Sequence, residues 1–175
     1  MKNLALLFIL SVVSYSCIAQ RIVLSNSATI DPPKGMTKIP SKNISNTLGQ
    51  KFAMTKYMSK AIKEHGDEIY TVDNMVIVVT SGRITREPGF LRRYKLALDE
   101  TADFSSGYTS KIEMIAGKQV YTRQVIAESF NLYRFTAINS GEDTLVNGFI
   151  QFNESDRKRA RVVLIDLIRG LKFNR

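Results

Sequence analysis

The longest patterned part of the sequence covers residues 108–173 and reads YTSKIEMIAGKQVYTRQVIAESFNLYRFTAINSGEDTLVNGFIQFNESDRKRARVVLIDLIRGLKF. It predicts four β-strands in succession, followed by one amphipathic helix. Apolar and polar residues alternate between Tyr108 and Met114, with the period of two that is typical of a strand. The strands predicted at Ser129–Asn139 and Thr144–Asn153 are apolar on both sides, so each face of the sheet must be covered.

Short turns between these strands require neighbouring strands to be antiparallel. Ala116–Gly117 fits a tight hairpin, Ala127–Glu128 forms the next turn, and polar residues 140–143 form the third. We expect Asn153 or Ser155 to cap the final helix. The predicted buried stripe of that helix consists of Ala160, Val163, Leu164, Leu167, Ile168 and Leu171.

The first half of the chain adds further strands and helices. A strand is predicted at residues 21–25, extended structure is predicted again at residues 36–39, and a helix is predicted from about residue 45 to His65. The unbroken apolar run Met75–Val79 predicts a central strand, and Ser81–Gly82 is expected to form a turn or a bulge after it.

A second helix is predicted to open at residues 87–89, with Pro88 near its first turn. Its expected buried side consists of Phe90, Leu91, Tyr94, Leu98 and Ala97. Helices are the available cover for the apolar faces of the sheet. The predicted fold class is therefore α+β, an antiparallel β-sheet with helices packed on both faces.

Residues 1–19 have the pattern of a cleaved secretory signal peptide. Their apolar run, residues 4–13, is too short to span a bilayer. The small residues Cys17 and Ala19 place cleavage after Ala19, so residues 20–175 are expected to form a single exported domain. The alternative is a lipoprotein signal with Cys17 acylated, which the residues before Cys17 fit less well.

The chain is basic, with a formal net charge of +9, of which about +8 remains once the signal is removed. Such a charge favours anionic partners in general, such as lipid headgroups or acidic polymers. Cys17 is the only cysteine. An exported domain without a disulfide depends on its core for stability.

Five segments carry a resemblance to a known family: residues 30–36 (IDPPKGM), 115–118 (IAGK), 133–138 (YRFTAI), 148–150 (GFI) and 164–168 (LIDLI). With the order of the predicted elements, they resemble the PsbP-like family, which includes the extrinsic photosystem II protein and the Ran-binding Mog proteins. The resemblance implies an α/β/α sandwich around an antiparallel sheet. It also implies a binding or assembly role without a common catalytic site, and it assigns no functional residue.

The sequence offers few groups for catalysis. His65 is the only histidine, so a histidine triad or a multi-histidine metal site cannot form within one chain. Asp99, Glu100, Thr101 and Asp103 place oxygen ligands close together without the EF-hand spacing, and we interpret them as a solvated loop. No cofactor and no metal site is predicted.

The most informative polar feature is the basic cluster at the start of the last helix, formed by Arg157, Lys158, Arg159 and Arg161. Cations near a helix N-terminus are unfavourable by roughly a few tenths of a kcal/mol each. The same placement can receive an anion. These four residues are the candidate anion or partner contact, and the alternative is a solvated basic face.

These patterns favour an exported, non-enzymatic binding or assembly domain whose partner is another envelope or secreted protein. The alternative is a module whose basic surface contacts anionic lipid or polymer. A third hypothesis, a hydrolase with an unrecognised carboxylate site, has no motif to support it. Interleaved aromatic residues that would indicate nucleic-acid binding are not evident, and no apolar run after the signal is long enough to span a membrane.

Overall fold

The computed structural model describes residues 21–40, 68–102, 107–127 and 130–174. Within these residues, strands form two antiparallel sheets and two helices pack against them. The α+β class and the antiparallel sheet are therefore confirmed.

The seven strands of the larger sheet are β3 (Thr37–Lys38), β4 (Glu68–Val72), β5 (Met75–Arg83), β6 (Gly107–Ile115), β7 (Lys118–Ala127), β8 (Phe130–Ile138) and β9 (Thr144–Phe152). Their order across the sheet is β3-β4-β5-β9-β8-β7-β6. The smaller sheet consists of β1 (Ile22–Ser25), β2 (Ala28–Ile30) and β10 (Leu171–Phe173), in the order β1-β2-β10. The helices are α1 (Phe90–Glu100) and α2 (Arg157–Gly170).

The predicted four-strand meander corresponds to β6 through β9. β6 and β7 pair without irregularity up to the two-residue turn between Ile115 and Lys118. In that turn Ala116 has a φ of 49° and Gly117 a φ of 76°, the left-handed values that a tight hairpin of this length needs. The predicted hairpin is therefore confirmed.

The predicted central strand is confirmed as β5, which lies between β4 and β9. The strand is longer than predicted, because its pairing with β9 continues through Ser81, Gly82 and Arg83. The predicted turn or bulge at Ser81–Gly82 is wrong, since the register with β9 is continuous here. Serine and glycine favour turns locally, but here β9 supplies a backbone partner to each residue.

The main apolar cluster joins α2 to the larger sheet and to β2. The predicted stripe of α2 is at most 1% exposed from Ala160 to Ile168, and it shares this cluster with Phe135, Ile150 and Ile30. Leu171 is also buried, but it belongs to β10 and not to the helix. The predicted extension of the helix to Leu171 is therefore wrong, since α2 ends one residue earlier.

Gly170 ends α2 in close contact with the loop that follows β2. A Cβ atom at Gly170 would lie 2.0 Å from the carbonyl oxygen of Asp31. The Asp31 N–H donates a hydrogen bond of 2.9 Å to the Gly170 carbonyl. Directly after this contact Leu171 pairs with Ile30. The smaller sheet is thus held to the end of the helix at a point where no side chain fits.

A second apolar cluster joins α1 to β7 and β8. Leu91 is 4% exposed and packs with Tyr121 and Ile138, and the predicted Phe90, Tyr94 and Leu98 border the same cluster. Pro88 lies directly before the N-cap Gly89, which has a φ of 74°, so it is near the first turn as predicted. One detail of the prediction is wrong. Ala97 is exposed, because it lies on the side of the helix away from Leu91.

Several predictions fall outside the described residues: the signal peptide, the helix ending at His65, and Asp103. In the described part of the chain, neither helix has the length and hydropathy needed to cross a membrane.

We predict that Gly170→Ala lowers the free energy of unfolding by about 1–3 kcal/mol, because the new methyl group overlaps the Asp31 backbone. Gly82→Ala is the matched control, since a Cβ there meets no atom within 4 Å. It should change stability by less than about 1 kcal/mol. Denaturant unfolding of both variants measures the difference, and equal losses would contradict the assigned role of the junction.

Candidate anion-contact site at the start of the last helix

The first turn of α2 follows a 3₁₀ turn at Glu154–Asp156. Asp156 is the N-cap of α2 and makes no side-chain capping hydrogen bond. The predicted caps, Asn153 and Ser155, are therefore wrong, because the extra turn moves the helix start to Arg157. The basic cluster begins at the first helical residue.

Three of the four cations in the basic cluster are each paired with a different carboxylate. The pairs are Arg157–Glu154 at 2.7 Å, Arg159–Asp73 at 3.1 Å and Arg161–Glu113 at 2.6 Å. Lys158 is exposed and makes no ion pair with another described residue. Three of the four positive charges of the cluster are therefore neutralised by carboxylates of the same chain.

Helical geometry brings two of these cations together and separates a third. Arg157 and Arg161 are four residues apart, so they emerge from the same side of α2. Burial raises the pKa of the nearby Tyr133 hydroxyl, and the charges of Arg161 and Arg157 oppose that rise. Arg159 emerges elsewhere, towards Asp73 in the turn between β4 and β5.

Glu113 in β6 is the centre of the polar contacts made by Arg161. Its carboxylate accepts hydrogen bonds from Arg161 at 2.6 Å and Thr122 at 2.8 Å, and it lies 3.0 Å from the Lys111 ammonium. Burial alone would raise the pKa of Glu113, but these donors outweigh it and lower the pKa. Glu113 is therefore an ionised anchor between α2 and the sheet edge.

A surface cavity of about 310 Å³ opens beside this anchor, lined by Thr109, Ser110, Lys111, Thr122, Gln124, Tyr133 and Arg161. Each lining residue has a polar side-chain group that can accept or donate hydrogen bonds. An incoming anion at Arg161 would have to compete with Glu113, which already holds the guanidinium.

The acidic residues considered as a cation site are arranged differently from the prediction. Asp99 and Glu100 lie in the last turn of α1 and not in a loop. Burial raises the pKa of Asp99, but hydrogen bonds from Lys95, Tyr108 and Ser110 lower it to about 2. Asp99 thus fastens α1 to β6. Among the described residues, no group of three acidic, histidine or cysteine side chains could hold a metal ion.

Sequence reasoning missed the carboxylates that neutralise the basic cluster. Asp73 is 86 positions from Arg159, and Glu113 is 48 positions from Arg161. The sequence around each carboxylate does not indicate which arginine it pairs with. These pairs can be identified only from the way α2 packs across the sheet.

No protein-family model and no curated protein matches the chain. Among solved structures, the chain is similar to cyanobacterial PsbP (CyanoP) from Synechocystis sp. PCC 6803, with a TM-score of 0.47 and 10% sequence identity. The alignment covers 89% of this chain and 92% of that chain. Similarity at this level does not assign a family, so function has to be argued from the geometry of this chain.

We predict that Glu113→Gln destabilises the fold by about 1–3 kcal/mol at neutral pH, because Arg161 and Thr122 lose an ionised acceptor. The pKa of Glu113 is lowered in the fold, so its contribution is present above the ordinary value of 4.5. It is lost as the pH falls through the lowered folded pKa. The difference from wild type should therefore shrink below about pH 4.5.

Glu154→Gln is the matched control for Glu113→Gln. It breaks the exposed pair with Arg157, in which the Glu154 side chain is 62% exposed. Such a pair contributes at most about 1 kcal/mol. Urea unfolding at a series of pH values compares the two variants. A Glu113→Gln effect as small as that of the control would contradict the anchoring role.

Proposed function

We propose that the chain is a non-enzymatic binding or assembly domain of the PsbP-like type, exported to the envelope or the medium. In this proposal residues 1–19 are removed and residues 20–175 form one domain. The mass of the protein isolated from its own cells tests the export step. A chain that begins at Gln20 supports it, whereas a lipidated Cys17 supports the lipoprotein alternative, and an uncleaved chain contradicts both.

The alternation of side chains in β7 supports an α/β/α sandwich. Val120 and Tyr121 are successive strand residues, so their side chains point to opposite faces of the sheet. Val120 belongs to the apolar cluster of α2, and Tyr121 belongs to the cluster of α1. This difference supports helices on opposite faces of the sheet, as the PsbP-like proposal requires.

The observation that carries a binding role is the long edge strand β6. Within the described residues β6 pairs with β7 on one side and has no strand on the other. Its nine residues, Gly107–Ile115, contain no bulge and no proline. An edge of this length and regularity can pair with an extended strand of another chain. The occupant we propose is such a strand from an exported partner protein.

The register of the β6–β7 hairpin indicates which backbone groups face a partner. In a two-residue hairpin the flanking residues, here Ile115 and Lys118, form a hydrogen-bonded pair. Hydrogen-bonded and non-hydrogen-bonded pairs alternate along the strand. Ile112 and Met114 are therefore expected to direct their N–H groups away from β7. The Met114 side chain is 64% exposed and adds an apolar contact at this edge.

The carboxylates of the described residues favour binding over hydrolysis. A general acid at neutral pH needs a raised carboxyl pKa. The pKa is lowered at each described carboxyl group with a resolved shift: Asp31, Glu68, Asp99, Glu113 and Asp143. These groups are suited to ion pairs and not to proton donation.

We predict that Met114→Pro abolishes partner capture and leaves the fold intact, because it removes an N–H that faces away from β7. Met114→Ala is the matched control, since it removes the same side chain and keeps the N–H. A photo-crosslinking residue in place of Lys111, whose side chain is 61% exposed, would trap the partner in the cell envelope. Mass spectrometry then identifies the cross-linked peptide.

The cross-link should persist in the Met114→Ala variant and disappear in the Met114→Pro variant. Circular dichroism must show that both variants retain the wild-type spectrum. Equal cross-linking in the two variants would contradict strand pairing at β6. Catalytic turnover that depends on any of the described carboxylates would contradict the whole proposal.

The second candidate function is contact of the basic cluster with anionic lipid or polymer. Exposed Lys158 and the net positive charge favour it, whereas the ion pairs of its neighbours limit the available charge. Reversing the charges of Arg157, Lys158, Arg159 and Arg161 should abolish salt-sensitive binding to vesicles rich in anionic lipid. Vesicle sedimentation at low and high salt measures this, and unchanged binding would exclude the candidate.

A further inference from the structure

Two arginines lie directly opposite each other in the larger sheet. Arg123 of β7 is the register partner of Arg134 of β8. Like charges at opposed positions of neighbouring strands destabilise a sheet. Neither arginine forms an ion pair with a carboxylate among the described residues, although the Arg123 guanidinium lies 4.6 Å from the centre of the Tyr108 ring. The Nε atom of Arg123 is buried and has no hydrogen-bond partner in the described structure.

Arg134 lines a cavity of about 180 Å³ between α1 and the sheet. The floor of this cavity is a row of polar side chains that are register partners across four strands: Thr80, Asn147, Thr136 and Tyr121. Tyr94 and Leu98 of α1 form one wall, and Phe149 lies beside Arg134. We name it the arginine cavity.

The floor of the arginine cavity contains an unused acceptor. The Oδ1 atom of Asn147 is buried and accepts no hydrogen bond from the described residues. A buried acceptor left unpaired destabilises the folded chain. A ligand hydroxyl group placed there would satisfy it. Among the described residues, the cavity thus combines a cation without an ion-pair partner at its rim and an acceptor without a donor on its floor.

We propose that the arginine cavity binds a small molecule that carries both an oxyanion group and a hydroxyl group. Arg134 presents its guanidinium to the oxyanion, which a carboxylate or phosphate can accept in a bidentate manner. Arg123 adds a second positive charge, and the oxyanion relieves the repulsion between the two arginines. Asn147 accepts the hydroxyl hydrogen. The volume suits a small metabolite-sized anion, because larger ligands occupy about 300–1,000 Å³.

This inference does not depend on the proposed pairing at β6, since the arginine cavity and the free edge of β6 involve different groups. A hydroxycarboxylate and a phosphate ester share the required chemistry. Glycerate represents the hydroxycarboxylates, and glycerol 3-phosphate represents the phosphate esters. Inorganic phosphate lacks the alcohol group, and glycerol lacks the charge, so they complete the set of probes.

Isothermal titration of the purified chain with the four probes tests the proposal. Glycerate or glycerol 3-phosphate should bind, glycerol should not, and inorganic phosphate should bind at least about tenfold more weakly than the better of the two. The preferred oxyanion identifies the ligand class. Binding of inorganic phosphate as tightly as the better of the two would contradict the role given to Asn147, and no binding by any probe would overturn the proposal.

Arg134→Gln is the decisive variant, and Arg92→Gln is its control. Arg92 is an exposed arginine of α1 that lies outside the lining of the cavity. Arg134→Gln should weaken binding by at least about tenfold, as expected for a lost charge-assisted contact, while Arg92→Gln leaves it unchanged. Equal affinities in the two variants would overturn the proposal.

The melting temperature of the ligand-free Arg134→Gln variant separates binding from folding. Removing one of two opposed like charges should leave the melting temperature equal to that of wild type or raise it. A clearly lower melting temperature would show that Arg134 stabilises the fold, which contradicts the like-charge argument.

Discussion

The larger sheet depends on a close contact at its centre, between Phe135 of β8 and Gly148 of β9. The two residues are register partners, and Phe135 is 2% exposed. A Cβ atom at position 148 would lie 2.5 Å from the Phe135 ring and 2.6 Å from the Val78 carbonyl oxygen. Glycine therefore leaves the space that the aromatic ring occupies, and it lets β9 approach β5 closely. Substitution here would disturb three adjacent strands together.

This filled centre gives α2 a continuous apolar surface to cover. The helix contacts β8 and β9 in the middle, β6 near one edge, and β2 of the smaller sheet. Near the N-terminus of the helix Arg161 forms an ion pair with Glu113, and at its C-terminus Gly170 contacts the Asp31 backbone. One helix thus joins the sheet edge to the smaller sheet. The polar contacts at its start follow from where the apolar stripe places it.

Local pattern was sufficient to predict the meander. The last strand was expected at Thr144–Asn153 and is found at Thr144–Phe152, because alternation and turn residues are properties of neighbouring positions. Leu171 shows the limit of this reasoning. Its spacing continues the stripe of the helix, and its burial agrees with either assignment. Only pairing with Ile30, far away in sequence, makes it a strand residue.

The same limit explains why sequence reasoning selected the basic cluster and missed the pair formed by Arg123 and Arg134. Arg157, Lys158 and Arg159 are adjacent in sequence, but a helix turns about 100° per residue and sends them in different directions. Arg159 then meets a carboxylate in the turn between β4 and β5, and Arg161 meets one in β6.

Arg123 and Arg134 are separated in sequence and become neighbours only through the register of β7 and β8. The basic cluster and the Arg123–Arg134 pair differ in the contacts that must be broken before an anion can bind. An anion at Arg161 must displace Glu113, whose partly buried carboxylate would then keep only Thr122 and Lys111 as partners. An anion at Arg134 breaks no ion pair among the described residues, and it reduces the repulsion from Arg123. A cation without a partner beside a second cation is therefore a better indicator of a ligand than a run of basic residues.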